Sequence, residues 1–142
     1  MSSTNDSKIK QLLEAVAAKK EALGERPKPH WVQNGQVPAF DGSWTNINMI
    51  TRMEDLLRIT SGVILLRNSR KDAAEMLEVP EEEASEIAIL EGHLQDLQLK
   101  AKIIRWELKK KKLSSMEQKL LELRSEDART ADALDSIEDL LK

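Results

Sequence analysis

Neither glycine nor proline occurs between residues 93 and 142 of this chain. Glycine and proline are the residues that most often end or bend a helix. A segment of that length without either would reach about 75 Å as one helix, at ~1.5 Å per residue. Its apolar spacing is strict. Ile87, Leu90, Leu94, Leu97, Ala101, Ile104 and Leu108 recur every three and four residues, the a and d positions of a coiled coil. The register then slips by a step of five to Leu113, followed by Met116, Leu120 and Leu123. Ser114-Ser115 can cap a new helix with Glu117 or Gln118 as the reciprocal partner. Either one helix carries a discontinuity, or the chain turns sharply at 112–115. Ser125-Glu126-Asp127 offers a further start, with Ala131, Leu134, Ile137 and Leu141 as its apolar face.

The rest of the sequence reads as shorter elements. Asn5, Asp6 and Ser7 are N-cap candidates for a first helix whose face is Ile9, Leu12, Leu13, Val16 and Leu23. Gly24 ends it, and Pro27 and Pro29 prevent resumption. The stretch 31–44 holds Trp31, Phe40 and Trp44, while aromatics make up only 3% of the chain. Asn34-Gly35 suits a type I′ turn that pairs Gln33 with Gln36 and Val32 with Val37. Asp41-Gly42 suits a second turn, with Phe40 opposite Ser43 and Trp44 near Ala39. A hairpin this small must dock on something else, and Pro38 confines its strand to an edge. A further helix begins near Asn46 or Asn48, weakens at Gly62 and closes at Asn68-Ser69. The expected architecture is all-α. It comprises a short N-terminal helix (1–24), an aromatic turn or hairpin segment (25–47), a helical core (48–80) and long coiled-coil-like helices (81–142).

The a/d stripe finds no partner of matching length in the chain, so the seven residues from Ile87 to Leu108 are the expected interface of a homo-oligomer, most simply a dimer. Charge along this half is blocky. Residues 78–99 carry acids and neither Lys nor Arg, 100–119 are basic with Lys109 to Lys112 as a run, and 122–141 are acidic again. Such a rod repels a parallel copy of itself and attracts an antiparallel or staggered one.

Composition excludes several chemistries. With no cysteine, there are no disulfides and no thiolate nucleophile. The longest aliphatic run, Val63 to Leu66, is far short of the ~20 residues that span a bilayer. The N-terminus lacks an apolar signal core. These features point to a cytoplasmic chain with no membrane role. Net charge is only −3, so overall electrostatics name no partner. His30 and His93 stand far apart, no glycine-rich phosphate loop occurs, and the residue three before His93 is Leu90 rather than Glu. The expectation is a non-enzyme without metal or cofactor.

Three segments are candidates for binding. Residues 69–87 resemble the helix-turn-helix signature, with Ala74 as the small first-helix residue, Leu77 and Val79 flanking the turn, and Ala84 and Ile87 buried. Glu78 stands where that pattern has glycine, and the second helix opens with Pro80-Glu81-Glu82-Glu83, which phosphates would repel. The run Lys109, Lys110, Lys111 and Lys112, near Trp106, is a basic patch for nucleic acid or an anionic membrane, or simply a solvated face. Trp31, Phe40 and Trp44, with His30, Arg26 and Lys28 nearby, suit a slot that stacks a nucleotide base, or a lid over aliphatic helices. The leading expectation is therefore an oligomeric helical binding or scaffold protein that occupies or sequesters a partner. The alternatives are a nucleotide-binding protein, such as an accessory protein of a phage or mobile element, and a nucleic-acid-binding regulator.

Overall fold

Helix formation dominates the chain, as its Leu-, Lys- and Glu-rich composition requires. The structure is a computed structural model and describes residues 3–124 and 130–142. The described elements are α1 (Ser3–Leu23), β1 (Gln36–Pro38), β2 (Trp44–Asn46), α2 (Met53–Met76), α3 (Ser85–Leu123) and α4 (Thr130–Leu141), with short 3-10 turns at Ile47–Met49 and Glu81–Glu83. The fold is all-α with one small hairpin among the described residues. None of the described helices is long and apolar enough to cross a membrane. The helix start expected at Ser125-Glu126-Asp127 lies outside the described residues.

Two compact units divide the chain, and the first draws on both ends of the sequence: residues 1–26 with 106–142, against 27–105. The first unit is a three-helix assembly of α1, the C-terminal part of α3, and α4. Its core is wholly aliphatic: Ile9, Leu12 and Val16 from α1, Leu113, Met116, Leu120 and Leu123 from α3, and Leu134 and Ile137 from α4. Burying each such side chain contributes about 1.5–3 kcal/mol. At the surface, Lys8 lies 2.7 Å from Asp135 and 2.9 Å from Glu138. Its hydrogen bond to Asp135, then that to Glu138, pushes its pKa up to about 12. Gly24 ends α1 with φ +73°, as its position in the sequence required. The indole N–H of Trp106 donates to the Gly24 carbonyl at 3.1 Å, and Arg26 pairs with Glu107 at 2.9 Å.

In the second unit, α2 and the N-terminal part of α3 are joined by the aromatic segment. Val37 and Ile47 from the hairpin region, Leu56 and Val63 from α2, and Leu90, Leu97 and Ile104 from α3 form its core.

One open alternative is decided and two expectations are corrected. First, α3 does not turn at Ser114-Ser115. Two serines in a helix cost roughly 0.5 kcal/mol each, while burying Leu113 and Met116 beside them gains several times more. Second, α2 runs unbroken through Gly62 and Asn68-Ser69. The glycine penalty of ~1 kcal/mol is outweighed by burial of the flanking Leu56 and Val63. Third, the a/d stripe does not stand free for a second chain. Leu90, Leu97 and Ile104 are buried in the second unit's own core, and Leu94 and Ala101 pack against it. The aromatic segment and α2 together provide the cover that neither supplies alone. Ile87 is half-buried, and only Leu108 is largely exposed.

The corner resembling a helix-turn-helix is a helix C-cap followed by a new helix start. The Glu78 amide donates to the Glu75 carbonyl and the Val79 amide to that of Ala74, the paired bonds of a Schellman motif. Glu78 takes φ +54°, a left-handed conformation that glycine adopts without penalty. Pro80 then stops the helix, and Ser85 begins α3.

Candidate functional site

The turn dipeptides decide how the aromatic segment is built. Asp41-Gly42 makes the hairpin turn. The Ala39 amide donates to the Ser43 carbonyl at 2.7 Å, and the Gly42 amide to Ala39 at 3.0 Å, with Gly42 at φ +90°. The Asp41 carboxylate accepts from both the Ser43 hydroxyl and its amide. Those two bonds, the hydroxyl first, hold its carboxyl below the usual carboxylate range. The register is Gln36 with Asn46, Val37 with Thr45 and Pro38 with Trp44. The expected pairing of Phe40 with Ser43 is therefore off by one residue, because Gly42 in the left-handed region adds a bulge. Asn34-Gly35 does not close a second hairpin. Gly35, at φ +80°, lies under the Trp31 ring, where an added Cβ would meet Cδ1 at 3.0 Å.

The segment is latched onto α3. The Asp96 carboxylate, 1% exposed, accepts the backbone amides of Val32 at 2.6 Å and Gln33 at 2.9 Å. Gly92, one turn earlier on α3, leaves room for the Gln33 side chain, which would lie 2.9 Å from an added Cβ. His93 and Lys100 are the other buried polar residues of this face. Ile89, His93, Asp96, Lys100 and Ile103 recur at the same three-four spacing as the apolar stripe beside them. In the second unit α3 thus carries two adjacent stripes, one aliphatic and one largely polar.

A cleft of about 260 Å³ lies beside the hairpin, walled by Phe40, Trp44, Leu66, Arg70, Ile89 and His93, with Glu86 at its rim. Phe40 and Trp44 are each 62% exposed. The Trp44 ring meets the His93 imidazole edge-on, with centroids 6.2 Å apart. His93 is buried, and among the described residues its Nδ1 has no hydrogen-bond partner. Burial pushes the imidazole below its ordinary value of 6.5, with the Asp96 carboxylate opposing, which favours its neutral form. Arg70 and Glu86 pair with each other at 3.1 Å.

The six residues expected to form one slot are therefore separated. Phe40 and Trp44 line the cleft. Trp31 is half-buried and packs on the second unit's core, which is the lid role. Lys28 and His30 are exposed and outside the cleft lining, and Arg26 is held by Glu107. Among the described residues, the only cation lining the cleft is Arg70, which is already paired with Glu86. Lys109, Lys111 and Lys112 are exposed, and Lys110 is half-buried. At the helical corner, Glu81, Glu82, Glu83 and Glu86 are exposed where DNA phosphates would lie. Among the described residues, no group of three or more His, Asp or Glu is placed to hold a metal ion. Sequence reasoning missed His93, Asp96, Leu66, Arg70 and Ile89; the polar stripe beside the heptads was the available signal for the first two. No family model, curated protein or solved structure matches the chain.

Proposed function

We propose that this chain is a non-enzymatic binding protein of scaffold type, and that a partner protein docks on the Phe40–Trp44 hairpin with an apolar side chain in the adjoining cleft. The observation that carries this reading is the exposure of both rings at 62%. The chain has four aromatic residues of the Phe and Trp types, and two of them face water on one turn. Aromatic side chains in that position contribute little to a core and much to an interface. The latch supports the same reading. Asp96 and Gly92 hold the segment against α3, so the rings are presented by a fixed backbone, and preorganisation lowers the entropy lost on association.

Size favours a protein over a free small molecule. Ligand pockets usually enclose about 300–1,000 Å³, and this cleft is smaller and open. One or two apolar side chains fill it, with the Arg70–Glu86 pair as a polar rim.

The test is site-specific photo-crosslinking. A photoreactive amino acid replaces Arg70 at the cleft wall, in the wild-type background and with Trp44→Ala or Phe40→Ala. The reading expects one discrete adduct that either aromatic substitution abolishes, with an unchanged melting temperature. Adducts indifferent to both substitutions would refute it.

A further inference from the structure

The first unit carries two neighbouring grooves, of about 420 and 470 Å³, that share Lys112, Met116 and Leu140. Lys19, Lys109 and Lys142 border the first, and Lys111 and Lys119 the second. Among the described residues, no Asp or Glu lines either groove. The floor is apolar, and Leu108 and Leu140 are 54% and 58% exposed. The surface is thus an apolar trough inside a ring of ammonium groups.

A complementary surface exists on the same chain. At the corner after α2, Met76 and Leu77 are 82% and 72% exposed. Around them stand Asp72, Glu75, Glu78 and Glu81 to Glu83, and no Lys or Arg occurs from residue 72 to 99. Among the described residues none of those six acids makes an ion pair. Two bare apolar side chains set in unpaired carboxylates match a trough set in lysines, in both hydrophobicity and sign. Apolar contact supplies attraction, and opposite charges select the partner and speed encounter.

We infer that the corner at 72–83 of one copy docks in the lysine-bordered trough of a second copy. The contact joins two different surfaces, so copies either close reciprocally as a pair or ring, or continue head to tail. Of the heptad stripe the contact uses only the exposed Leu108, and none of residues 72–83 lines the hairpin cleft.

Sedimentation velocity of the full chain at low and high salt is the test, with two charge-reversed variants: Lys109→Glu with Lys112→Glu, and Glu81→Lys with Glu82→Lys. All four side chains are largely exposed, and circular dichroism checks that each variant is folded. The wild type is expected to show masses that rise with concentration and fall with salt. Each variant alone is expected to lose association, and an equimolar mixture to regain it, because each supplies the surface the other lacks. Met76→Ala with Leu77→Ala is expected to weaken assembly at every salt concentration. A single-chain mass for the wild type at low salt, or a mixture that fails to recover, would overturn the inference. So would assembly unaffected by the reversals, which would place the contact elsewhere.

Discussion

Each unit covers a different length of α3, and they do so by different chemistry. In the first unit the buried side chains among the described residues are all aliphatic, contributed by three helices. In the second, the same helix is covered partly by irregular backbone, and buried His93, Asp96 and Lys100 appear. Helix–helix contact needs no polar groups inside, because each helix satisfies its own amides. A loop laid on a helix brings unpaired amides with it, and these need acceptors. Asp96 is that acceptor for Val32 and Gln33. The buried Asp96 follows from covering a helix with a segment that is not one.

The sharpest way to break this contrast is to change each unit at constant shape. Leu120→Ala in the first unit is expected to cost about 2–5 kcal/mol, and Asp96→Ala in the second about 2–4 kcal/mol, since it strands two amides. Near-isosteric changes separate the two kinds of core. Leu120→Met should cost under about 1.5 kcal/mol, whereas Asp96→Asn removes a charge-assisted acceptor and should cost roughly 1.5–3 kcal/mol. Guanidinium unfolding measures all four, and equal losses for the two isosteric changes would erase the distinction.

Gly92→Ala comes next. Its Cβ displaces Gln33, and overpacking costs about 1–3 kcal/mol against the ~1 kcal/mol that alanine gains in a helix. A net loss is expected in the wild type and a gain in the Gln33→Ala background, and thermal melts of the double-mutant cycle show whether the sign reverses. Glu78→Gly is expected to stabilise the corner by about 0.5–1 kcal/mol, by relieving the left-handed residue; an unchanged or lower melting temperature would mean that the Glu78 side chain has its own role.

Much of the helical architecture was legible because it depends on periodicity alone. The Leu113–Leu123 stripe, the α1 face and the Gly24 cap all behave as their spacing requires. Continuity was harder to read. Gly62 and Ser114-Ser115 look like breaks locally, and only the burial of their neighbours overrides them. The cleft was half legible. Phe40 and Trp44 drew attention by composition, but Asp96 did not, because an acid in a helix is normally solvated and its role depends on amides more than sixty residues away. The seam at Leu90, Leu97 and Ile104 was recognised as apolar but assigned to another chain, because an irregular segment was not counted as cover.

The smallest effect is a slope with pH. With its pKa below 6.5, folded His93 binds a proton more weakly than the unfolded chain does. Its contribution is therefore complete above that value and declines as pH falls through it. Urea midpoints measured across this range should fall for the wild type more than for His93→Leu, which also removes the unpartnered Nδ1.

Amide hydrogen exchange at Val32 and Gln33, compared between the wild type and Asp96→Asn, tests the latch most directly. The Ala39 amide, bonded within the hairpin to Ser43, serves as the internal reference. Val32 and Gln33 should be protected in the wild type and exchange much faster in the variant, while Ala39 stays protected. If both amides exchange as fast in the wild type as in Asp96→Asn, the carboxylate does not hold the aromatic segment.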